Sequence, residues 1–240
     1  MFLEVLTVAL GIFLIFIILR SVKQLAVAKD QYKNLPAQAA IFFAVWLLYL
    51  SILSYTEILY DFSLPPKLPL LVVMPILLVF TISFFRKASA DFVTITSVSW
   101  LIYIQAFRII VELIIWGGNE VGMLPLITTF EGSNIDVVVG LTAVPMAYYA
   151  KKDKVSNTAL ILWNIAGLLI LANTVRLFIS AGYFPESIGL SEGELGIGFV
   201  KLPYLLIGGL FMPLAVFIHA LSIKQLLARR VDIKHINANK

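Results

Sequence analysis

Cysteine is absent from this 240-residue chain, and histidine occurs only at positions 219 and 235. Without cysteine there are no disulfides, no thiolate metal ligands and no cysteine nucleophile. Charge is scarce as well: Asp, Glu, Lys and Arg make up 13% of the residues, about half the share of an average soluble domain. No HExxH occurs, and no GxSxG, P-loop or GxGxxG stands in the strand-to-helix setting that gives those strings their chemistry.

Apolar residues are abundant, at 60% of the chain with a mean hydropathy of +0.97. That is the composition of a polytopic membrane protein, in which the lipid bilayer is the first partner. The hydrophobic stretches predict an all-α protein of seven transmembrane helices, at about 2–19, 37–60, 68–85, 92–116, 134–149, 158–181 and 199–221, followed by a basic tail over 222–240. They consume the length, so residues 1–240 form a single domain. Pro75 is expected to bend the third span. In the second, Ser54, Glu57 and Asp61 fall on one helical face.

Charge partition sets the orientation. Of the eighteen Lys and Arg residues, fourteen lie in the 1–2, 3–4 and 5–6 connections and the C-terminal tail, whereas the opposite side has only Lys67 and Lys201. The positive-inside rule then places the N-terminus outside and the C-terminus in the cytoplasm. The same partition accounts for the net charge of +4 without any nucleic acid. Spans 1–3 and 5–7 can form two parallel three-helix halves, although no convincing residue correspondence joins them.

The chain's unusual chemistry lies between Thr94 and Asp136. Gln105, Arg108 and Glu112 are three and four residues apart, hence on one helical face. An arginine inside a span costs about 2.5–3.5 kcal/mol on insertion scales unless it meets protein, water or a counter-charge. With spans 4 and 6 both running outward, Arg108, Glu112, Asn173 and Arg176 share the outer half with Glu131, Asn134 and Asp136 at the start of span 5. These seven residues are the candidate ligand-binding set. Two plainer readings stand beside it: Ser133 or Asn134 caps the fifth helix with Asp136 three residues past Ser133, and the arginines form buried structural ion pairs. Asn164 reads as an interhelical hydrogen bond and His219 as a bonded imidazole, with no second histidine or cysteine nearby to make a metal site.

The string Thr129-Phe130-Glu131-Gly132-x-Asn134-x-Asp136, followed by Gly140-Leu141-Thr142-Ala143, Trp163-Asn164 and His219, resembles a group of uncharacterised bacterial inner-membrane proteins that carry a TFEGxNxD…GLTA motif. The resemblance covers about Arg108 to Gln225 and implies a multi-pass protein of the bacterial inner membrane; it implies no reaction. Size and orientation are also similar to those of microbial rhodopsins, but their retinal lysine belongs in the middle of span 7 and Lys201 lies at its outer mouth. No Pro-Gln pair marks a PQ-loop transporter.

Three functions follow as expectations. The first is a transporter or receptor-like protein that binds a small polar or anionic molecule in an outward-facing intramembrane pocket. The second is a non-catalytic subunit or scaffold with a membrane-protein partner. The third is an intramembrane enzyme acting on a lipid or lipophilic substrate, with Glu112, Glu131 or Asp136 as base, or with a divalent ion held by Glu131, Asn134 and Asp136. Nothing in the residues names a cofactor.

Overall fold

The computed structural model describes residues 1–238, with side chains as far as Arg229, and every regular element among them is helical. The basic side chains Arg230, Lys234 and Lys240, assigned to the tail, lie outside the described side chains. The chain folds as α1 Phe2–Ala28, α2 Leu35–Tyr55, α3 Met74–Phe85 behind a π turn at Pro69–Val73, and α4 Lys87–Ile95. It continues through α5 Val98–Tyr103, α6 Phe107–Glu120, α7 Val137–Lys151, α8 Asn157–Tyr183 and α9 Met212–Ala238, the last behind a π turn at Ile207–Phe211.

Five helical stretches are long and apolar enough to cross a membrane: Phe2–Ala28, Asp30–Tyr55, Val98–Glu120, Asn157–Tyr183 and Ile207–Arg229. A sixth arises if Pro69–Phe85 and Lys87–Ile95, bent by 72° at Arg86, count as one span. The stretch ending in α9 is the axis of the bundle, packed against α3, α4, α5 and α8. It is 61% buried, against 22% for α1 and for Asp30–Tyr55. On α1, Val5, Val8, Ile12 and Phe16 are exposed, an apolar stripe at helical spacing that suits lipid rather than water.

Several predicted boundaries move. The first helix continues past Leu19 to Ala28, because Arg20 and Lys23 extend off it instead of ending it. The second stops at Tyr55, so Glu57, with a left-handed φ of 58°, and Asp61 do not share a helical face with Ser54. The fourth stretch is two pieces: α4 turns aside, and a new helix starts at Val98, where the Ser97 hydroxyl accepts from the Trp100 N–H. The helix of the seventh predicted span begins near Ile207 instead of Phe199, after a short 3-10 turn at Ile197–Val200.

The predicted bend at Pro75 is a π turn ahead of the proline, and it has a counterpart. Leu64, Pro65, Leu68, Met74 and Pro75 recur 138 positions later as Leu202, Pro203, Leu206, Met212 and Pro213. Both copies carry a cis Leu-Pro bond, a five-residue π turn and a Met-Pro pair opening the helix, and the two π turns touch. Each proline lacks the N–H that would bond the carbonyl four residues back. Those two carbonyls find donors on α2: Tyr49 Oη donates to Leu71 O at 2.9 Å, and Trp46 Nε1 to Gly209 O at 2.8 Å.

Candidate functional site

Arg108, in the first turn of α6, is 1% exposed and engaged on two sides. Its Nε donates to Asp136 Oδ2 at 2.7 Å, its Nη2 pairs with Asp136 Oδ1, and its Nη1 bonds His219 Nε2 at 2.9 Å. A guanidinium has no acceptor. His219 Nε2 is therefore the bare nitrogen and Nδ1 carries the hydrogen, donated to Asn164 Oδ1 at 2.9 Å. The Asn164 amide nitrogen bonds Leu160 O at 2.8 Å, so a continuous buried chain runs from Asp136 through α6 and α9 to α8.

One turn along α6, Glu112 is fully buried. Both its oxygens accept from Asn134 Nδ2 at 3.0 Å, and the same amide reaches Thr128 O at 2.9 Å. Asn134 Oδ1 takes the Thr174 hydroxyl at 2.7 Å and the Asp136 N–H at 3.1 Å. Asn134 is thus saturated, and it pins the non-helical stretch before α7 against α6 and α8. The cations and carboxylates do not balance: Arg108 matches Asp136, while Glu112 has no cation of its own among the described residues.

Close helix approach makes these bonds possible. A Cβ on Gly140 would stand 2.9 Å from the Ile109 backbone nitrogen, and one on Gly167 would stand 2.5 Å from His219 Cε1. The two glycines let α7 reach α6 and α8 reach the imidazole.

Of the seven sequence-predicted residues, Arg108, Glu112, Asn134 and Asp136 meet in this buried network, and Asn173, Arg176 and Glu131 lie outside it. Arg176 is exposed, with Nη2 on Asn173 Oδ1 at 3.0 Å, and Asn173 Nδ2 bonds Ser133 O at 3.0 Å. Glu131 is exposed too. The second arginine turns outward because it lies two residues past Thr174, which alone of that turn faces the network. The capping reading holds in part: Ser133 is exposed and the Asp136 carboxylate is spent on Arg108, so neither caps α7, whereas Asn134 Oδ1 accepts the Asp136 N–H just ahead of the helix that starts at Val137. His219, Asn164, Thr174 and Thr128 join the network without having been placed in the site, and the rarity of polar residues within spans was the available signal.

Above the network lies a cavity of about 90 Å³. Arg108, Glu112, Asp136 and Thr174 form its polar end, and the rest of its wall is almost wholly apolar. Half-exposed Leu68, Pro69, Val73, Val175, Gly208 and Met212 are part of that wall. Among the described residues no group of three or more His, Asp or Glu side chains can hold a metal ion. The trio of Glu131, Asn134 and Asp136 does not converge, since Asn134 turns its amide to Glu112 and Asp136 faces Arg108. Gly189-Leu190-Ser191-Glu192-Gly193 spells GxSxG, but it sits in an exposed loop whose Ser191 N–H bonds Glu194, with no strand behind it.

Compared with family models, curated proteins and solved structures, the chain matches none.

Proposed function

We propose that this is a seven-span bacterial inner-membrane protein that binds a small molecule with an apolar body and a polar head in the cavity beside Arg108 and Glu112, and carries it across the bilayer. The observation that carries the reading is the make-up of that cavity: apolar walls, one buried polar end, and both copies of the proline-broken segment along its side. Paired, interrupted helices at corresponding places in two halves of a membrane protein point to a transport site.

Seven spans are reached by adding α7 to the six long stretches. Its fifteen residues cover only about 22 Å at 1.5 Å per residue, short of a bilayer core of about 30 Å. Buried Thr128, Thr129, Asn134 and Asp136 supply the remaining depth. Irregular backbone at that depth is tolerated where protein encloses it. The partition of basic residues favours an outside N-terminus and a cytoplasmic C-terminus, and the TFEGxNxD string favours a bacterial source.

Arg108 is committed to Asp136 and His219, so an anionic head has to displace Asp136, whereas a neutral or cationic one meets Glu112 directly. Arg108 and Glu112 of α6 are both bonded within the chain, which weighs against a scaffold that uses them to hold a partner helix. The test is mass spectrometry of organic extracts from purified protein. A small amphiphile is expected with the native chain and is expected to be lost from Val175→Phe, which fills the cavity. Identical extracts from both, with both folded, would remove the proposal.

A further inference from the structure

A second cavity, of about 350 Å³, lies on the basic side, lined by α1, α2, α3, α4, α5 and α9. It falls within the size range of small-molecule sites and shares no lining residue with the cavity beside Arg108. Its two ends differ. Leu14, Phe43 and Phe80 line the deep end, while Gln38, Ser83 and Arg86 lie at the end nearest the basic connections. Arg86 stands at the 72° bend between α3 and α4. Its guanidinium is exposed and makes no ion pair or hydrogen bond among the described residues. The neighbouring ammonium of Lys224 is already committed to Phe84 O and Ser89 Oγ, both at 2.7 Å.

We infer that this cavity holds one acyl chain of an anionic phospholipid from the leaflet on the basic side, with the phosphate on Arg86. A half-open, mainly apolar cavity walled by buried Leu14, Phe43 and Phe80 suits a hydrocarbon tail. A free guanidinium at its mouth matches a phosphate oxygen pair. Under the proposed orientation that leaflet is the cytoplasmic one, whose surface is anionic. Bound there, the lipid ties α1 and α2 to the α3–α4 bend.

Native mass spectrometry of the full chain in detergent tests this, with phosphatidylglycerol, phosphatidylcholine and glycerol 3-phosphate as probes. Phosphatidylglycerol is expected to stay bound, at least about tenfold more tightly than phosphatidylcholine, with glycerol 3-phosphate not retained. Arg86→Gln is expected to remove that preference and Arg86→Lys to keep most of it. Ala39→Phe, which narrows the cavity, is expected to release both phospholipids. Equal retention of the two phospholipids by the native chain, or an unchanged preference in Arg86→Gln, overturns the inference. Retention of glycerol 3-phosphate equal to the lipid's overturns it too, since the tail would then play no part. Because Val175→Phe alters only the other cavity, its effect on phosphatidylglycerol separates the two proposals: none is expected.

Discussion

Trp46 donates its indole N–H to the carbonyl oxygen of Gly209 at 2.8 Å, four residues before Pro213. Tyr49, three residues along α2 and with its ring 5.3 Å away, does the same for Leu71 ahead of Pro75. One helix therefore satisfies the two carbonyls that the proline breaks set free. Leaving a buried acceptor without a donor costs about 1–3 kcal/mol, although polar bonds between membrane helices average nearer about 0.6 kcal/mol. Trp46→Phe and Tyr49→Phe are both expected to lower the unfolding temperature in detergent, Trp46→Phe by more because its bond is fully buried. Melting curves for the two variants identical to the native one would mean that these carbonyls are satisfied some other way.

His219 is held from both sides, by Arg108 on one nitrogen and Asn164 on the other. It has no room to retreat from a methyl group placed on Gly167, 2.5 Å from the ring. Gly167→Ala is thus expected to destabilise by about 1–3 kcal/mol, the usual cost of overpacking. The same substitution made in a His219→Ala background is expected to cost far less, because the clash has gone. A double-mutant cycle measured by denaturant unfolding reads this coupling directly, and additive effects would place the imidazole elsewhere.

Glu112→Gln removes the carboxylate that lacks a cation while leaving the side chain's size unchanged. One of its two contacts with Asn134 Nδ2 becomes donor against donor, so a loss of about 1 kcal/mol is expected. Arg108→Ala differs in kind, since it strands Asp136 without its partner and is expected to cost about 3–5 kcal/mol. Unfolding both variants in one detergent checks the ranking. If Glu112→Gln proves the more damaging, Glu112 rather than Arg108 anchors the network.

The sequence made legible those parts of the molecule that follow from solvent and spacing. Long apolar runs gave the membrane helices, and the three-and-four spacing of Gln105, Arg108 and Glu112 put them on one face of the broken span, buried as an arginine at that depth requires. What it hid depends on backbone detail. The duplicated Leu-Pro…Met-Pro segment is confined to twelve positions around a break, and apolar periodicity says nothing about a break. Arg176 carries the same charge as Arg108, yet which way it faces on the largely apolar α8 is set by the packing of its neighbours. Asn134 likewise gave no sign that it would bond Glu112, Thr128 and Thr174 at once, since those partners come from three separate parts of the chain.

The connection after α2 carries its own pH dependence. Lys67 Nζ lies 2.5 Å from Asp61 Oδ2, and the Ser63 N–H donates to Oδ1 at 2.8 Å. The Lys67 ammonium, then the Ser63 bonds, hold the Asp61 carboxyl well below the usual carboxylate range. A group whose folded pKa is depressed contributes order above its unfolded value, about 3.9 for Asp, and loses it only as pH falls through the lower folded value. The Ser63 amide is therefore expected to stay protected from hydrogen exchange between pH 7 and about 4 and to lose protection only below that. Asp61→Asn retains an oxygen for the Ser63 N–H but forfeits the ion pair, so its protection is expected to be weaker at neutral pH and flat into the acid range. The pair is exposed, and such pairs contribute little to global stability, so the unfolding temperature is expected to stay unchanged in Asp61→Asn. An acid midpoint at the ordinary carboxylate value in the native chain would show that Lys67 and Ser63 do not hold the carboxylate in solution.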